Sequence, residues 1–330
     1  MQAIVVDMIF LALGMPSQFS VWGFEALRRI VELEHGGIET IWFDRFDPVH
    51  RLDSQSAIAN AYFPSRALSD KCLPEKSLGV FFTTSPVEAT AYQMTKHGST
   101  VAEALRTVGC SLALMQPLRG RRNILMIDQA PALNASTVIA AIARHFRISV
   151  PGEAAVEIER SIGPPNRFKI DGSQFSEADE SIATLVLGNA IGHFHDPSVP
   201  LKSIWPHRVF YSGDKPNEEA PLVTEATGAS RVLYYGPYFH LAEGRWQAKL
   251  TLGFSKDAVG LPMKVAAYGP GLLGEANFRA RQEGIFSARF NFSVTEPEHP
   301  VELHVRTEEG AIEGRIALGQ VELTWTAAKN

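Results

Sequence analysis

From Trp246 to Leu252 apolar and polar positions alternate, with Trp246, Ala248, Leu250 and Leu252 set against Gln247, Lys249 and Thr251. A period of two marks a strand with one buried face. The stretch Leu233–Leu252 around it reads as strand, turn, strand. Gly236-Pro237 breaks the first run, because proline has no N–H and glycine accepts unusual backbone angles. Glu243-Gly244 supplies a second turn. Strand-like runs then follow at Met263–Tyr268, Gly284–Val294, Val301–Thr307 and Arg315–Trp325. Short strands with frequent turns predict an antiparallel sandwich or jelly roll over residues 204–330. The glycine-rich Gly269–Gly274 lies among these strands and reads as a hairpin turn.

The first half has another pattern. Residues 3–13 form an apolar run interrupted only by Asp7, and a turn at Gly14–Ser20 comes next. Val21–Glu34 has helical spacing and stops at His35-Gly36-Gly37. Ile38–Phe43, Leu78–Thr84 and Asn123–Asp128 read as further strands. Between them, Ser85-Pro86 opens a helix to His97, and Val101–Leu114 makes another. Asn134 or Ser136 caps a last helix to Phe146. Four apolar strands alternating with helices predict a doubly wound parallel sheet over residues 1–150. Ser176 with Asp179 resembles a capping box for a helix from Glu177 to Ala190. Pro197, Pro200 and Pro206 stiffen the segment after that helix. The fold class is therefore α/β plus all-β: an α/β domain at 1–165, a helical and proline-rich connector at 166–203, and a β-sandwich at 204–330.

Length and charge narrow the function. A chain of 330 residues favours two domains. A formal charge of −5 offers no basic excess for phosphate neutralisation, so no nucleic-acid partner is expected. Cys72 and Cys110 make no disulfide framework, which points to a reducing, cytoplasmic setting. The apolar run Ile4–Leu13 is too short to span a bilayer, so no transmembrane segment is expected. His193, His195, Asp196 and His207 carry metal-ligand chemistry, but they sit in the proline-rich connector with no cysteine nearby, and no metal site is assigned. Ligands of open α/β sheets bind at the strands' carboxyl edge. Asp44, Asp47 and Asp128 end strands there, and Asp44 and Asp128 are the candidate general bases.

The first βα turn, Gly14-Met-Pro-Ser-Gln-Phe-Ser-Val-Trp22, resembles that of the sulfotransferase family, whose members carry Pro-Arg/Lys-Ser-Gly-Ser/Thr-Thr-Trp there. Met15, Pro16, Ser20 and Trp22 match. Ser17 stands where the family has a basic residue, Gln18 replaces a serine, Phe19 the glycine and Val21 a hydroxyl residue. The second family motif, Arg-Asp-Pro-Arg-Asp with a later serine, corresponds to Thr84-Ser-Pro-Val-Glu88 with Tyr92. The resemblance covers residues 5–150 and implies a P-loop-type parallel sheet. It also implies that Ser17, Gln18, Phe19, Ser20, Thr84, Ser85 and Tyr92 face the cofactor, 3′-phosphoadenosine 5′-phosphosulfate. Without a cation at 17 or 84, two phosphate groups lose charge-assisted contacts of about 1.5–3 kcal/mol each. Weak or absent donor binding is expected.

The pattern Tyr-Gly-Pro-Tyr…Leu…Gly-Arg-Trp at 235–246 resembles the β-sandwich module appended to some bacterial glycosyltransferases and polysaccharide-assembly proteins. That resemblance implies a carbohydrate-binding-like fold, with Tyr235, Tyr238, Trp246 and Arg306 as glycan contacts. Two readings of the whole chain stand. One is a sulfotransferase-like protein of bacterial surface polysaccharide, with assembly proteins as partners. The other is a non-catalytic pseudoenzyme that binds saccharide or scaffolds a complex.

Overall fold

A computed structural model describes residues 9–43, 57–64, 77–165, 168–196 and 198–326. The chain divides into two compact units, one of Met1–Gly98 with Leu114–Phe175 and one of Ser99–Ala113 with Ser176–Asn330.

The first unit is α/β. Its strands are β1 (Ile9–Gly14), β2 (Glu39–Phe43), β3 (Ala57–Ala61), β4 (Leu78–Thr83) and β5 (Ile124–Asp128). They pair in parallel in the order β2-β3-β1-β4-β5. The sequence pattern holds four of the five. β3, Ala-Ile-Ala-Asn-Ala, escapes it because small residues give little hydrophobic contrast, yet all five of its residues are buried. Helices α1 (Gln18–His35), α2 (Pro86–His97), α4 (Ala135–Phe146) and α5 (Gly152–Ile162) belong to this unit. α5 is not among the elements that the sequence pattern predicts. Phe10, Ala12, Ile58, Val80 and Phe82 point from the sheet into one core with Phe24, Leu27 and Ile30 of α1 and Ile139 and Ile142 of α4.

The second unit is a β-sandwich. One sheet is built from β6 (Lys202–Pro206), β8 (Val223–Glu225), β10 (Gly244–Phe254), β13 (Gly284–Val294) and β15 (Arg315–Thr326). Its order is β13-β10-β15-β6, with β8 also on β15. The other contains β7 (Tyr211–Ser212), β9 (Val232–Phe239), β11 (Pro262–Tyr268), β12 (Leu272–Arg279) and β14 (Val301–Thr307). It runs β12-β11-β14-β9-β7. β9 and β10, adjacent in sequence, thus lie in different sheets. The buried Tyr234 of β9 ties the two layers together by donating its hydroxyl to Ile316 O of β15 at 2.9 Å.

Helix α3 (Val101–Met115) contributes residues up to Ala113 to this unit. The predicted capping box forms: Ser176 accepts from Asp179 N, and Asp179 accepts from Ser176 N. Helix α6 (Glu177–Leu187) is not a free connector. Ser203 of β6 donates its hydroxyl to Val186 O and accepts from Trp205 Nε1, which seats α6 on the sandwich. His193-Phe-His195 is the end of a short helix, α7 (Ala190–His195), and is not extended. The His193 ring is buried, with Nδ1 2.6 Å from Val199 O. No metal-holding group of three or more His, Cys, Asp or Glu residues exists among the described residues. No helix among them is long and apolar enough to cross a membrane.

Gly23 gives a test of the α1–sheet packing. A β-carbon there would run into the Phe82 ring, which is itself fully buried. Alanine gains roughly 0.8–1 kcal/mol of helix propensity, while overpacking a fixed core costs about 1–3 kcal/mol. The collision wins, so Gly23→Ala lowers the melting temperature of the first unit in a thermal denaturation scan.

Candidate functional site

In the first unit, the carboxyl ends of β1, β4 and β5 meet at one edge. Met15 N donates to Phe82 O at 3.1 Å, and Gln129 N donates to Thr83 O at 2.9 Å. Ser17 is the N-cap of α1. Its hydroxyl accepts from Ser20 N and donates to Ser20 Oγ, both at 3.2 Å. The Ser20 hydroxyl continues the chain to Phe82 O at 3.4 Å. Both serines are inside, at 1% and 0% exposure. Phe19 is buried with them, edge-on to Phe82 and stacked on Trp22. A β-carbon on Gly14 would collide with the Ser20 side chain, so the corner is already full.

The other predicted cofactor residues are mixed. Thr84 is buried and donates its hydroxyl to Gln129 Oε1. Ser85 is exposed at the N-cap of α2, with no side-chain cap bond. Gln18 is half-buried. Tyr92 packs edge-on to Phe168, and burial raises the pKa of its phenol. Glu88 accepts from Phe168 N at 3.0 Å and so pins that segment. Asp128 accepts a hydrogen bond from the Thr83 hydroxyl. Asp44, with Asp47, Arg45, Arg51 and Cys72, lies outside the described residues.

A phosphosulfate nucleotide needs donors and cations aimed outward from this corner. The Ser17 and Ser20 hydroxyls aim inward, Phe19 fills the glycine position, and neither Gly14–Trp22 nor Thr84–Tyr92 holds a Lys or Arg. Among the described residues, this corner does not fit that group.

The second unit offers a different surface. Along β14, Val301, Leu303 and Val305 are buried, so Glu302, His304 and Arg306 face outward. The ladder places Tyr235 opposite His304, and Tyr268 opposite Glu302. Gly236-Pro237 does not end β9. The strand runs through a cis peptide bond, and the pairing passes from Glu302–Pro237 to Val301–Phe239. Tyr238 is the residue passed over. It bulges at φ 66, which puts its ring on the same outer face.

Hydrogen bonds and close charge contacts link the cluster. Tyr238 donates its hydroxyl to Glu302 Oε1 at 2.7 Å, and His304 Nε2 lies 2.9 Å from the same oxygen. Burial, then the Glu302 contact, raises the pKa of the Tyr238 phenol, so it stays protonated as a donor. The Tyr268 ring packs on His304 with centroids 4.7 Å apart. Tyr235 OH accepts from Asn217 N at 3.0 Å. Arg306 lies 2.9 Å from Glu308.

Arg106 of α3 completes one end. It donates from Nε to Pro237 O at 2.9 Å and from its terminal nitrogen to Tyr211 OH at 2.5 Å. Its guanidinium lies over the Tyr211 and Tyr238 rings at 5.6 and 5.5 Å.

Of the predicted glycan contacts, Tyr235, Tyr238 and Arg306 share this face, and Trp246 does not. Trp246 is 1% exposed, and its indole N–H donates to Ala242 O at 2.9 Å. Its alternation with polar neighbours points it into the core. Tyr211, Tyr268, Glu302, His304 and Arg106 escape the sequence reading. The period of two along β14 carries a signal for Glu302 and His304. Nothing local marks Arg106, which arrives from 105 residues before Tyr211.

No protein-family model matches the sequence. No curated protein matches it either. Partial likenesses exist among solved structures. A mouse sulfotransferase complexed with PAP shares 13% identity over 48% of this chain and 63% of its own, with a TM-score of 0.35. A xylan-binding module shares 8% over 39% of this chain and 98% of its own, at 0.28. Latent PorU from Porphyromonas gingivalis shares 9% over 38% of this chain, at 0.27. The chain thus spans 12% of the PorU chain.

The buried serine pair gives a sharp expectation. Ser17→Ala removes the α1 cap and lowers the stability of the first unit by about 1 kcal/mol, while Ser17→Gly costs only a few tenths. Urea unfolding curves of the two variants check the order.

Proposed function

We propose that this chain is a saccharide-binding protein and that its outer sheet face around Glu302 is the binding surface. The observation that carries the reading is the set Tyr235, Tyr268, His304, Glu302 and Arg306 on one face of one sheet. A sugar ring presents an apolar C–H face and a rim of hydroxyls. Tyr268 and Tyr235 supply apolar area with polar tips. Glu302 accepts hydroxyl hydrogens, and Arg306 donates. Glu302 is held in place beforehand by the Tyr238 hydroxyl, which limits the ordering lost on binding. Tyr211 and Tyr238, occupied by Arg106, hold the face in shape and are not its stacking surface.

The first unit, on this reading, is sulfotransferase-like in fold and does not use 3′-phosphoadenosine 5′-phosphosulfate. The inward serines and the missing cations favour a non-catalytic role beside a polysaccharide over sulfate transfer to it.

Calorimetric titration of the full chain separates the two readings. Neutral trisaccharides of xylose, glucose and galactose serve as probes, with 3′-phosphoadenosine 5′-phosphate in a parallel cell. At least one trisaccharide is expected to bind. Tyr268→Ala and Arg306→Ala each weaken it about tenfold, equivalent to about 1.4 kcal/mol. The nucleotide gives no heat at millimolar concentration. Saccharide affinity untouched by both substitutions removes the proposed face. Micromolar nucleotide binding restores the transferase.

A further inference from the structure

At the end of the sandwich where β12 runs out and β13 begins, a cavity of about 290 Å³ opens between the two sheets. Phe254, Phe278 and Phe286 form its walls, with Leu252 and Ala288 behind them. Phe254 stands edge-on to Phe278 and Phe286, with centroids 6.3 and 6.1 Å away. Ala280 and Ala288 are the small apolar residues among its lining. Arg279 and Arg281 stand among the lining residues, together with Ser287, and no carboxylate is among them.

Three features define an occupant. First, ordered water needs two to four polar partners to be well held. Walls of phenylalanine, leucine and alanine offer few, so an apolar body enters without displacing well-bonded water. Second, the lining cations outnumber the lining anions by two to none. Arg279 sits 3.6 Å from Glu309, a long pair on exposed side chains, and donates to Gly260 O only at 3.4 Å. Exposed pairs of that kind hold a side chain weakly. Third, guanidinium presents a planar fork that matches a carboxylate in two hydrogen bonds.

We propose that this cavity is a binding site for an amphipathic carboxylate, an acid whose body is a single aromatic ring or a short alkyl chain. The ring or chain lies among Phe254, Phe278 and Phe286, and the carboxylate meets Arg279 and Arg281. The apolar walls lie between the two sheets, whereas the face around Glu302 is the outer side of one sheet, and the acid is proposed to bind independently of saccharide.

Calorimetry on the full chain tests it with 4-phenylbutyrate against 4-phenylbutan-1-ol, which shares the body but not the charge. The acid is expected to bind at least tenfold more tightly. Arg279→Gln with Arg281→Gln, both on exposed side chains, erases the difference and leaves the alcohol's affinity unchanged. Ala288→Leu fills the cavity and abolishes binding of both, with circular dichroism confirming that the variant is folded. Should that variant fail to fold, Ala280→Val serves in its place. Equal affinity for acid and alcohol overturns the proposal. So does acid binding that survives a filled cavity, because the arginines would then be acting as a surface charge alone.

Discussion

A residue in a strand can face only one side of its sheet, and the candidate site depends on that constraint. Val301, Leu303 and Val305 are drawn into the sandwich core. Glu302, His304 and Arg306 are thereby forced outward in a line. Pairing with β9 and β11 then brings Tyr235 and Tyr268 beside them without any further specification. Tyr238 reaches the same face only because the bulge releases it from the alternation. One apolar triplet in β14 therefore determines where most of the polar chemistry stands. Changing the register by a single residue would bury a carboxylate and an arginine in place of valine, which costs too much to be tolerated unless those charges are paired.

The first unit shows the opposite case, a corner shaped for its own stability. At a helix N-terminus the backbone N–H groups are open to either an outside anion or an inside cap. Here Ser17 takes the Ser20 N–H, and the hydroxyls chain on to Phe82 O. The two uses compete for the same donors. A side chain already in place has no translational freedom to lose, so the internal cap prevails unless an anion brings extra charge contacts. With no Lys or Arg in the two loops, the loops themselves supply no such contacts.

Most of the architecture was legible because period and caps are local signals. The alternation at Trp246–Leu252, the Pro86 helix start and the Ser176–Asp179 box all stand in the structure. β3 was not legible, since alanines and one asparagine give no contrast between faces. The Gly236-Pro237 break was misread because a bulged strand can route the pairing around a proline, which single-strand rules do not anticipate. The site was half-legible. Tyr235, Tyr238 and Arg306 are among the contacts that the module resemblance implies, whereas the period of two turns Trp246 inward. Arg106 was out of reach, because its partners Pro237 and Tyr211 are set by tertiary packing.

Arg106 also separates structural tyrosines from available ones. A guanidinium near two phenol rings and hydrogen-bonded to one of them draws on faces that a ligand would otherwise use. Tyr211 and Tyr238 therefore form the fixed wall of the surface. Tyr238 in turn fixes Glu302 by a hydrogen bond, with His304 Nε2 2.9 Å from the same oxygen. The ordering passes from helix α3 through Tyr238 to the carboxylate, and it is completed before any ligand arrives. Tyr268 and Arg306 lie on the far side of Glu302 from Arg106, on the part of the face where α3 makes no hydrogen bond among the described residues. On the proposed reading, a ligand would therefore meet the half of the face that Arg106 leaves open.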